Sequence, residues 1–558
     1  MTAARPGSPS GSKTKPQAPS FSWPQQLLLF ALFFAGLMLL HAPLLRLPYF
    51  WDEAGYYVPA ARDLFLTGSL IPRSTPSNAH PPLVMAWLAL AWHIFGYSTL
   101  VTRTAMLTLS AFSLLGVFRL SRLATAANRP VAWATAALVA LYPVYFTQSS
   151  MAQVDLPAAG FTFWALAAYI EDRPWGQALW FSLAALAKET AILAPLALFG
   201  WELLANCVRS RSKERWKEIL PPQGRRTRWL HLLLPAVPLA GWYAYHYSKT
   251  GFLFGNPEFF RYNVAATLNP LRVPLALGMR IWQLFGYFGL YLLTLAGLLA
   301  MFRPPRGLKE TLNETSKKIL NGKVRLNEKD GGAVRARIPF WVQGAFLPVL
   351  LAYLVFMSAV GGAVLARYML PVVPLVILVL VSTVWRRARH WKLIVGAVAI
   401  AFVVGLFTNP PYGFSLEDNL AYRDYIVMHA EASRFLAMRY PGARVLTAWP
   451  ASDELTRPWL GYVSEPFHVL RIEDFSAPQI DVAIQARKHF DVALVFSTKY
   501  QPPHPLFENW DAWQHIKERF FGYHRDLPRE EIALRLGGAI AFHKEVNGQW
   551  IAVIRVQR

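Results

Sequence analysis

The sequence predicts a polytopic α-helical membrane region followed by a C-terminal soluble α/β domain. Of the 558 residues, 54% are hydrophobic and only 16% are charged, whereas soluble domains usually carry about 25% charged residues. The apolar residues form long blocks that recur up to about Leu406 and then stop. Such blocks are typical of membrane spans. The chain therefore divides into a tail over residues 1–22, a membrane region over residues 23–408 and an outer domain over residues 409–558.

The basic residues indicate how this region is oriented. A net charge of +23 would also suit a nucleic-acid-binding protein. Here, however, Lys and Arg cluster between apolar blocks, at residues 209–228, 303–337 and 386–392. That is the positive-inside pattern of cytoplasmic loops, and it excludes the nucleic-acid interpretation. Cys207 is the single cysteine of the chain, which excludes an intrachain disulfide.

The first elements follow from composition and hydropathy. Residues 1–22 are rich in Pro, Ser, Lys and Gly, and are predicted to be a disordered cytoplasmic tail. About eleven transmembrane helices follow, with juxtamembrane helices beside them, and odd-numbered spans run outward. The predicted spans are residues 27–40, 104–120, 131–146, 158–170, 178–187, 192–204, 230–247, 281–302, 340–357, 372–384 and 394–406.

One apolar stretch, residues 80–95, is predicted to lie in the membrane interface or to re-enter. It is about 15 residues long, short of the roughly 20 that a span needs. If it crossed, Arg119 and Arg122 would lie outside and every later basic cluster would change side. Its Pro-Pro start suits the first turn of a helix. Residues 56–67, just before it, are predicted to form a surface helix.

The tail after the last span is predicted to be a small outward-facing α/β domain. Residues 417–438 have helical periodicity. Strands are predicted at residues 444–448, 492–496 and 551–556. Asn547-Gly548 between two β-like runs predicts a hairpin. This domain has no glycine motif for a nucleotide and no convincing spacing for a catalytic triad.

The candidate functional residues lie on the outer face, several of them at the ends of spans. Asp52 and Glu53 follow the first span inside an aromatic stretch, residues 49–57, and carboxylates there are costly unless they pair or act. The other polar residues on this face are His80, Asp155, Lys188, Glu189, Glu258, Arg261 and Arg367. Acids could deprotonate a nucleophile or hold a metal, and cations could stabilise a leaving phosphate. Their convergence at a membrane surface indicates a reaction on a lipid-linked substrate.

This ordered set resembles the GT-C class of membrane glycosyltransferases. Within that class it is most similar to the bacterial aminoarabinose transferase and protein O-mannosyltransferase group. The resemblance covers roughly residues 27–406. It rests on Asp52-Glu53 after the first span, the Pro-Pro helix start, the Asp155 loop, the Lys188-Glu189-Thr190 turn and the Arg367-Tyr368-x-Leu-Pro371 turn.

The resemblance implies an inverting transfer of a sugar from a polyprenyl-phosphate donor to a hydroxyl of a lipid, glycan or protein. The reaction would take place at the outer face of the bacterial cytoplasmic membrane. By matched position Asp52 would be the general base, Asp155 would orient the acceptor or the base, and Glu53 is a further catalytic candidate. The substrate-binding candidates are His80, Lys188, Glu189, Arg261, Arg367 and Tyr368. No nucleotide sugar is needed and no cofactor is assigned, but Asp52, Glu53, Asp155 and Glu258 are candidate ligands for a divalent metal ion.

One motif departs from the aminoarabinose enzymes. Those usually carry Glu-Lys before the Pro-Pro pair, where this chain has Ala79-His80. A neutral His is a weaker phosphate partner than Lys and could instead bind a metal or a sugar hydroxyl. This argues against an aminoarabinose donor and a lipid A acceptor. The eukaryotic protein mannosyltransferases usually carry a β-trefoil domain in a lumenal loop. No loop here is long enough for one, which favours a prokaryotic member.

Structural interpretations stand beside these roles. Glu53 would stabilise the start of the following helix, and Asp155 would be the N-cap of the next span. Lys188 and Glu189 would pair with each other at a helix end, and Arg367 would reach the lipid headgroups.

The main alternative function is a transporter or flippase for lipid-linked sugars, and a third is a non-enzymatic assembly or sensor protein. Transporters often have inverted repeats with polar residues near the bilayer midplane. No such repeat is visible in this sequence, and the charges lie at span ends on one side. A sensor would leave the grouping of acids and bases on one face without an explanation.

Overall fold

The structure is a computed structural model that describes residues 22–209, 218–221, 229–257, 260–261, 267–306, 337–502 and 510–557. All of the predicted disordered tail except Ser22 lies outside these ranges. So do most of the two basic clusters over residues 209–228 and 303–337.

The membrane region is mostly helical over its described length. Its α-helices are Trp23–His41, Val58–Thr67, Leu83–Phe95, Thr99–Ala124, Arg129–Leu141, Pro143–Gln148, Asp155–Ile170, Pro174–Ala187, Leu193–Arg209, Ala236–Thr250, Arg272–Phe285, Leu290–Met301, Phe340–Ala359, Val373–Arg387 and Trp391–Phe407. Among the described residues, five helical stretches are long and apolar enough to cross a membrane. They are Trp23–Leu44, Thr99–Ala124, Glu189–Arg209, Arg272–Met301 and Phe340–Ala359. These stretches make the chain an integral membrane protein and confirm the predicted fold class.

The predicted number of eleven spans stays a prediction. Five predicted spans coincide with the five long stretches. The other six overlap shorter helices, from the 13 residues of Arg129–Leu141 to the 17 of Trp391–Phe407. The predicted span over residues 131–146 is divided at Tyr142 and Pro143, where a second helix, Pro143–Gln148, begins. Proline at a first helical position ends one helix and starts the next because it lacks the N–H that would continue the first.

Two short helices precede the second long span. The predicted surface helix is Val58–Thr67, and it ends at Gly68 in the left-handed conformation (φ 70°), which glycine adopts without steric cost. The helix Leu83–Phe95 packs against it, and Val58, Ala61 and Leu88 are fully buried between them. The Pro-Pro pair comes directly before this second helix, as the sequence predicts.

The outer domain is an α/β fold around one five-stranded sheet. Its strands are β1 (Arg444–Ala448), β2 (His468–Ile472), β3 (Val492–Phe496), β4 (Gly538–Val546) and β5 (Gln549–Val556), in the spatial order β2-β1-β3-β5-β4. The pairs β1–β2 and β1–β3 are parallel, and the other two are antiparallel. The helices are Ala421–Arg439, Ala451–Thr456, Ala477–Gln485, Asp511–Phe521 and Arg529–Arg535.

The predicted strands and hairpin are confirmed. Asn547 and Gly548 both have positive φ (50° and 76°) between β4 and β5, as this kind of tight hairpin requires. β2 was not predicted, because Ile472 is the one buried residue of this short segment and the strand lies at the edge of the sheet. An edge strand with exposed polar positions has a weak hydrophobic pattern.

The outer domain is packed directly on the loop that follows the first span. The Tyr462 hydroxyl donates to the Tyr49 carbonyl (2.9 Å), and the Tyr97 hydroxyl donates to the Trp459 carbonyl (2.8 Å). One hydrophobic cluster runs from Phe50 of this loop into the strands of the sheet. The loop bearing Asp52 is therefore held between the membrane region and the outer domain.

Candidate active site

A large cavity lies between the membrane helices and the outer domain. Its volume is about 2810 Å³. Its lining includes seven of the predicted site residues: Asp52, His80, Lys188, Glu189, Arg261, Arg367 and Tyr368. We call this space the outer cavity. It is large enough for a lipid headgroup and a second substrate together, since drug-sized ligand pockets occupy about 300–1,000 Å³.

Asp52 lies where the chain turns sharply after the first span. Trp51 has a positive φ of 45°, which is uncommon for a bulky residue. Asp52 comes directly before a short π-helical turn, Glu53–Tyr57, that leads into helix Val58–Thr67. Gly55 in this turn faces the Trp449 ring of the outer domain, and a Cβ there would lie 2.7 Å from that ring. The outer domain thus fixes the turn that carries Asp52.

Arg367 is the centre of the charged group at the cavity. Its Nη2 bonds Asp52 Oδ2 at 2.5 Å, its Nε lies 3.3 Å from Asp155 Oδ2, and its Nη1 bonds Glu417 Oε2. Burial alone would lower the pKa of Arg367, but Glu417, Asp52 and Asp155 raise it well above its ordinary value. The planar guanidinium supplies donors in three directions, so one side chain aligns three carboxylates from distant parts of the chain.

The turn that carries Arg367 is held by side chains of helix Arg272–Phe285. Arg280 donates to the Leu365 carbonyl (2.6 Å) and the Met357 carbonyl (3.1 Å). Gln283 donates to the Val364 carbonyl at 2.8 Å. These bonds pair the carbonyls of the irregular segment before the 3₁₀ turn Ala366–Met369. Buried backbone carbonyls need such hydrogen-bond partners.

Lys188 extends this charged group on the membrane side. Its Nζ lies 2.5 Å from Asp155 Oδ1 and 4.0 Å from the centre of the Tyr368 ring. Asp155 is the first residue of helix Asp155–Ile170 and is 3% exposed. No side-chain capping bond precedes that helix, so Asp155 has ionic partners in place of the predicted N-cap bond. We call Arg367, Asp52, Asp155, Glu417 and Lys188 the Arg367 cluster.

Glu53 belongs to a separate, closed ion pair. Its two carboxylate oxygens bond Arg103 Nη1 and Nη2, and they also accept the backbone N–H groups of Phe50 (2.9 Å) and Ala152 (2.5 Å). Glu53 is 0% exposed and does not line the outer cavity. Its predicted catalytic role stays a prediction. The contacts favour a different role, in which Glu53 ties the Asp52 turn to helix Thr99–Ala124.

His80 and Glu189 form a second pair on the cavity wall. His80 Nδ1 lies 2.7 Å from Glu189 Oε2, and the His80 ring lies 5.8 Å from that of Tyr57. Glu189 therefore pairs with His80, and Lys188 pairs with Asp155, in contrast to the predicted pairing of Lys188 with Glu189. Arg261 is exposed at the cavity, and Glu258 lies outside the described residues.

Two carboxylates of the site were missed by sequence reasoning. Glu417 and Asp418 precede the first helix of the outer domain and are 3% and 1% exposed. Burial, opposed by Arg367, raises the pKa of Glu417. Burial and the neighbouring Glu417 raise the pKa of Asp418 to about 8. An acidic pair before an amphipathic helix usually indicates a solvated helix start, and nothing in the sequence shows that Arg367 would meet it.

The three metal candidates that the structure describes do not fit a divalent ion in this arrangement. Asp52 and Asp155 both face the Arg367 guanidinium, and Glu53 faces Arg103, so cations already occupy the positions that a metal would take. Among the described residues, the group of His and acids close enough to share an ion is Asp474, His524 and Asp526 in the outer domain. It contains none of the candidates.

Part of the chain matches a known protein family, and nearly the whole chain is similar to several solved structures. Residues 79–220 match the family model described as dolichyl-phosphate-mannose-protein mannosyltransferase. No curated protein matches the chain. Among solved structures, the chain is similar to ArnT from Cupriavidus metallidurans in the apo state, with a TM-score of 0.48 and 13% identity over 94% of this chain and 97% of that one.

The same ArnT bound to undecaprenyl phosphate gives a TM-score of 0.47 and 14% identity over 95% and 98% of the two chains. The archaeal oligosaccharyltransferase AglB from Archaeoglobus fulgidus, in complex with an inhibitory peptide and a dolichol-phosphate, is also similar. Its TM-score is 0.42, with 12% identity over 95% of this chain and 74% of that one. The family match contains His80, Asp155 and Lys188, and it confirms the resemblance to GT-C membrane glycosyltransferases that the ordered motifs predicted.

Proposed function

We propose that this chain is a membrane glycosyltransferase that moves a sugar from a polyprenyl-phosphate donor to an acceptor hydroxyl in the outer cavity. The acceptor is a lipid, a glycan or a protein, and the anomeric configuration is inverted. The match of residues 79–220 to a family described by a dolichyl-phosphate donor supports the lipid-phosphate part of the proposal. The grouping of acids and cations at one membrane face supports the transfer part.

One observation carries the assignment of the base. Of the three carboxylates on Arg367, the Asp52 side chain is 21% exposed, whereas those of Asp155 and Glu417 are 3% and 4% exposed. Asp52 also lines the cavity, and Asp155 does not. A general base must come within hydrogen-bond reach of the proton that it removes. Asp52 is the member of this trio that a substrate reaches most readily.

The proposed reaction is a single displacement. The acceptor oxygen attacks the anomeric carbon of the donor sugar, and its proton passes to the Asp52 carboxylate. The bond between the anomeric carbon and the phosphate oxygen breaks, and the lipid phosphate leaves with the electron pair. Arg367 holds Asp52 in one orientation, and this fixed placement lowers the cost of alignment in the transition state.

The cations divide between two proposed tasks. Lys188 and Arg367 were predicted to bind substrate, but both form ion pairs with the carboxylates of the Arg367 cluster. We assign them to aligning those carboxylates. Arg261, which is exposed at the cavity, is the proposed contact of the donor phosphate, whose charge grows as the sugar leaves. His80, paired with Glu189, is proposed to contact a sugar hydroxyl.

Transfer activity in membranes tests the proposal. Radiolabelled polyprenyl-phosphate sugars are offered to the envelope fraction with wild type, with Asp52→Asn and with the control Asp481→Asn. Asp481 is exposed on the outer domain, where it pairs with Arg535 at 3.4 Å. We expect transfer by wild type and the control, and a loss of about 10²–10⁴-fold in Asp52→Asn, the usual contribution of a positioned base.

The labelled product also identifies the acceptor. Full activity of a folded Asp52→Asn variant would contradict the base assignment and direct attention to Asp155. Failure of wild type to transfer any of several sugars would contradict the glycosyltransferase proposal and favour the transporter interpretation.

A further inference from the structure

The segment that joins the last membrane helix to the outer domain enters the Arg367 cluster. Glu417 Oε2 accepts bonds from Arg367 Nη1 and from Gln153 Nε2 (3.0 Å). Its other oxygen, Oε1, is buried and has no hydrogen-bond partner among the described residues. Glu417 lines the outer cavity beside Asp52. It is thus close to the proposed reaction although it lies outside the family match.

The backbone of this joining segment is held firmly. Thr147 donates to the Glu417 carbonyl at 2.6 Å, and the Leu420 N–H donates to the Leu406 carbonyl at 3.1 Å. Asn419, which is fully buried, donates through Nδ2 to Asn409 Oδ1 at 2.9 Å. These bonds fix Glu417 from both sides, so its carboxylate is placed by the fold and has little freedom to move with a substrate.

We propose that Glu417 is a positioning residue for sugar transfer, which acts through Arg367 on Asp52 and makes the reaction depend on the docked outer domain. The inference rests on the proposed function. Glu417 occupies Nη1 of the guanidinium while Asp52 occupies Nη2. Because guanidinium is planar and rigid, fixing one of these nitrogens fixes the direction of the other. Without Glu417 the guanidinium keeps Asp52 and the longer contact of 3.3 Å from Nε to Asp155 Oδ2. It is then held less tightly, and Asp52 shifts from its place in the cavity.

Charge supports the same role. Arg367, Lys188 and the three carboxylates carry five formal charges in a largely buried space. Glu417 faces Arg367, Asp52, Asp155 and its neighbour Asp418. A nearby negative charge favours protonation of other carboxylates. Glu417 is one of the three carboxylates that face Arg367, so its removal takes a negative charge from beside the proposed base and should shift the pH profile of kcat.

The test compares steady-state transfer by the full-length protein in detergent with a labelled polyprenyl-phosphate sugar. The variants are Glu417→Gln, Glu417→Asp and Gln153→Leu, and the control is Glu431→Gln. Glu431 pairs with Lys544 at 2.6 Å in the same domain and does not line the cavity. Melting in detergent checks that each variant is folded.

For Glu417→Gln we expect kcat to fall about 10–100-fold, the scale of a small misplacement of a reacting group. The donor KM should stay within about threefold, because alignment is lost and ground-state binding is not. The acidic limb of the pH profile of kcat should move to lower pH in Glu417→Gln, because a negative charge beside the proposed base is removed. Glu417→Asp, which keeps the charge, should restore that limb and only part of kcat. Gln153→Leu should give a smaller loss of kcat in the same direction.

Wild-type kcat in both Glu417→Gln and Gln153→Leu would overturn the inference and leave the proposed function intact. A rise in KM at unchanged kcat would overturn it as well, since Glu417 would then bind substrate. If Glu417→Gln fails to fold, Gln153→Leu and Glu417→Asp decide alone. Absence of transfer by wild type would overturn the proposed function, and this inference with it.

Discussion

At the residue scale, the buried charges near the outer cavity divide into a closed pair and an open cluster. Every oxygen of Glu53 is bonded, and its partner Arg103 is 1% exposed. Breaking such a pair by removing one partner costs about 3–5 kcal/mol, which suits a structural tie. The Arg367 cluster is different, because its carboxylates meet at one guanidinium and Asp52 faces a large cavity. The exposure of Asp52 to the cavity suits a residue that reacts with substrate, whereas the closed Glu53–Arg103 pair suits a structural role.

Asp418 gives a prediction about pH and stability. Its pKa is about 8 in the folded protein, raised mainly by burial, against an ordinary value near 3.9. Between about pH 4 and pH 8 the folded state keeps a proton that the unfolded chain has lost, so rising pH favours unfolding. Below this window both states are protonated, and above it both are ionised and the penalty is complete.

We therefore expect Asp418→Asn to flatten the fall in stability from pH 4 to pH 8. The Tyr287 hydroxyl, which donates to Asp418 at 2.7 Å, can donate to the new amide oxygen equally well. The gain over wild type should grow by at most about 1.4 kcal/mol for each pH unit. Melting in detergent at several pH values measures it, with Asp481→Asn as the exposed control. Parallel curves for wild type and Asp418→Asn would contradict the shifted pKa.

At the element scale, the strands that were predicted correctly are those whose local sequence pattern determines the structure. β1 and β3 coincide with their predicted ranges, residues 444–448 and 492–496, because buried strands are short apolar runs between turn residues. The helix predicted over residues 417–438 begins instead at Ala421. The first residues of the predicted helix, Glu417 and Asp418, are the acidic pair of the candidate site. The long-range contact of Glu417 with Arg367 outweighs their helical pattern.

The same distinction holds for the site residues. Asp52, Lys188, Asp155 and Arg367 were predicted to share one face because they follow span ends on the same side. In the structure Asp155 contacts both Lys188 and Arg367, and Arg367 also bonds Asp52. That inference needs only topology. The partners themselves were not predictable, since Glu417 reaches Arg367 across 50 residues of chain. An Arg inside an apolar span, such as Arg103, must find a partner, and this signal could have led to Glu53.

Helix packing behind Asp155 gives a prediction at this scale. Gly160 of helix Asp155–Ile170 lies against helix Thr99–Ala124, and a Cβ there would be 2.8 Å from the Ser113 Cβ. The Gly160→Val variant forces the helices apart and should lower stability by about 1–3 kcal/mol. Because Asp155 begins the same helix, kcat should fall as well.

The matched control is Gly200→Val, since Gly200 also lies in a membrane helix and has no atom within 4 Å of a Cβ. Thermal melting and transfer rates are measured for both variants. Equal melting temperatures for the two would show that the helices at Gly160 have room to spare.

At the scale of the whole molecule, the candidate site and the outer domain must share one side of the membrane. Trp449 of the outer domain packs on the Asp52 turn, and Glu417 of the joining segment enters the Arg367 cluster. The opposite ends of the helices carry basic residues. Arg387 donates to the Met301 carbonyl at 2.8 Å, and Arg306 donates to the Trp385 carbonyl at 2.9 Å. By the positive-inside rule that basic end is predicted to face the cytoplasm.

Cys207 makes this orientation directly testable, because it is the single cysteine of the chain and is exposed near the end of helix Leu193–Arg209. A membrane-impermeant maleimide added to intact spheroplasts should leave Cys207 unlabelled and should label it after permeabilisation. In a Cys207→Ser background, Ser464→Cys places the thiol on the exposed surface of the outer domain. That thiol should react in intact spheroplasts.

Both thiols must differ in accessibility if the basic end and the cavity lie on opposite sides. Equal labelling of the two before permeabilisation would place them on one side and would require another number of crossings. Labelling of Cys207 alone would invert the orientation and bring the cavity to the cytoplasm. A cavity on that side would meet cytoplasmic acceptors, so the labelling pattern also decides which acceptors belong in the transfer assay.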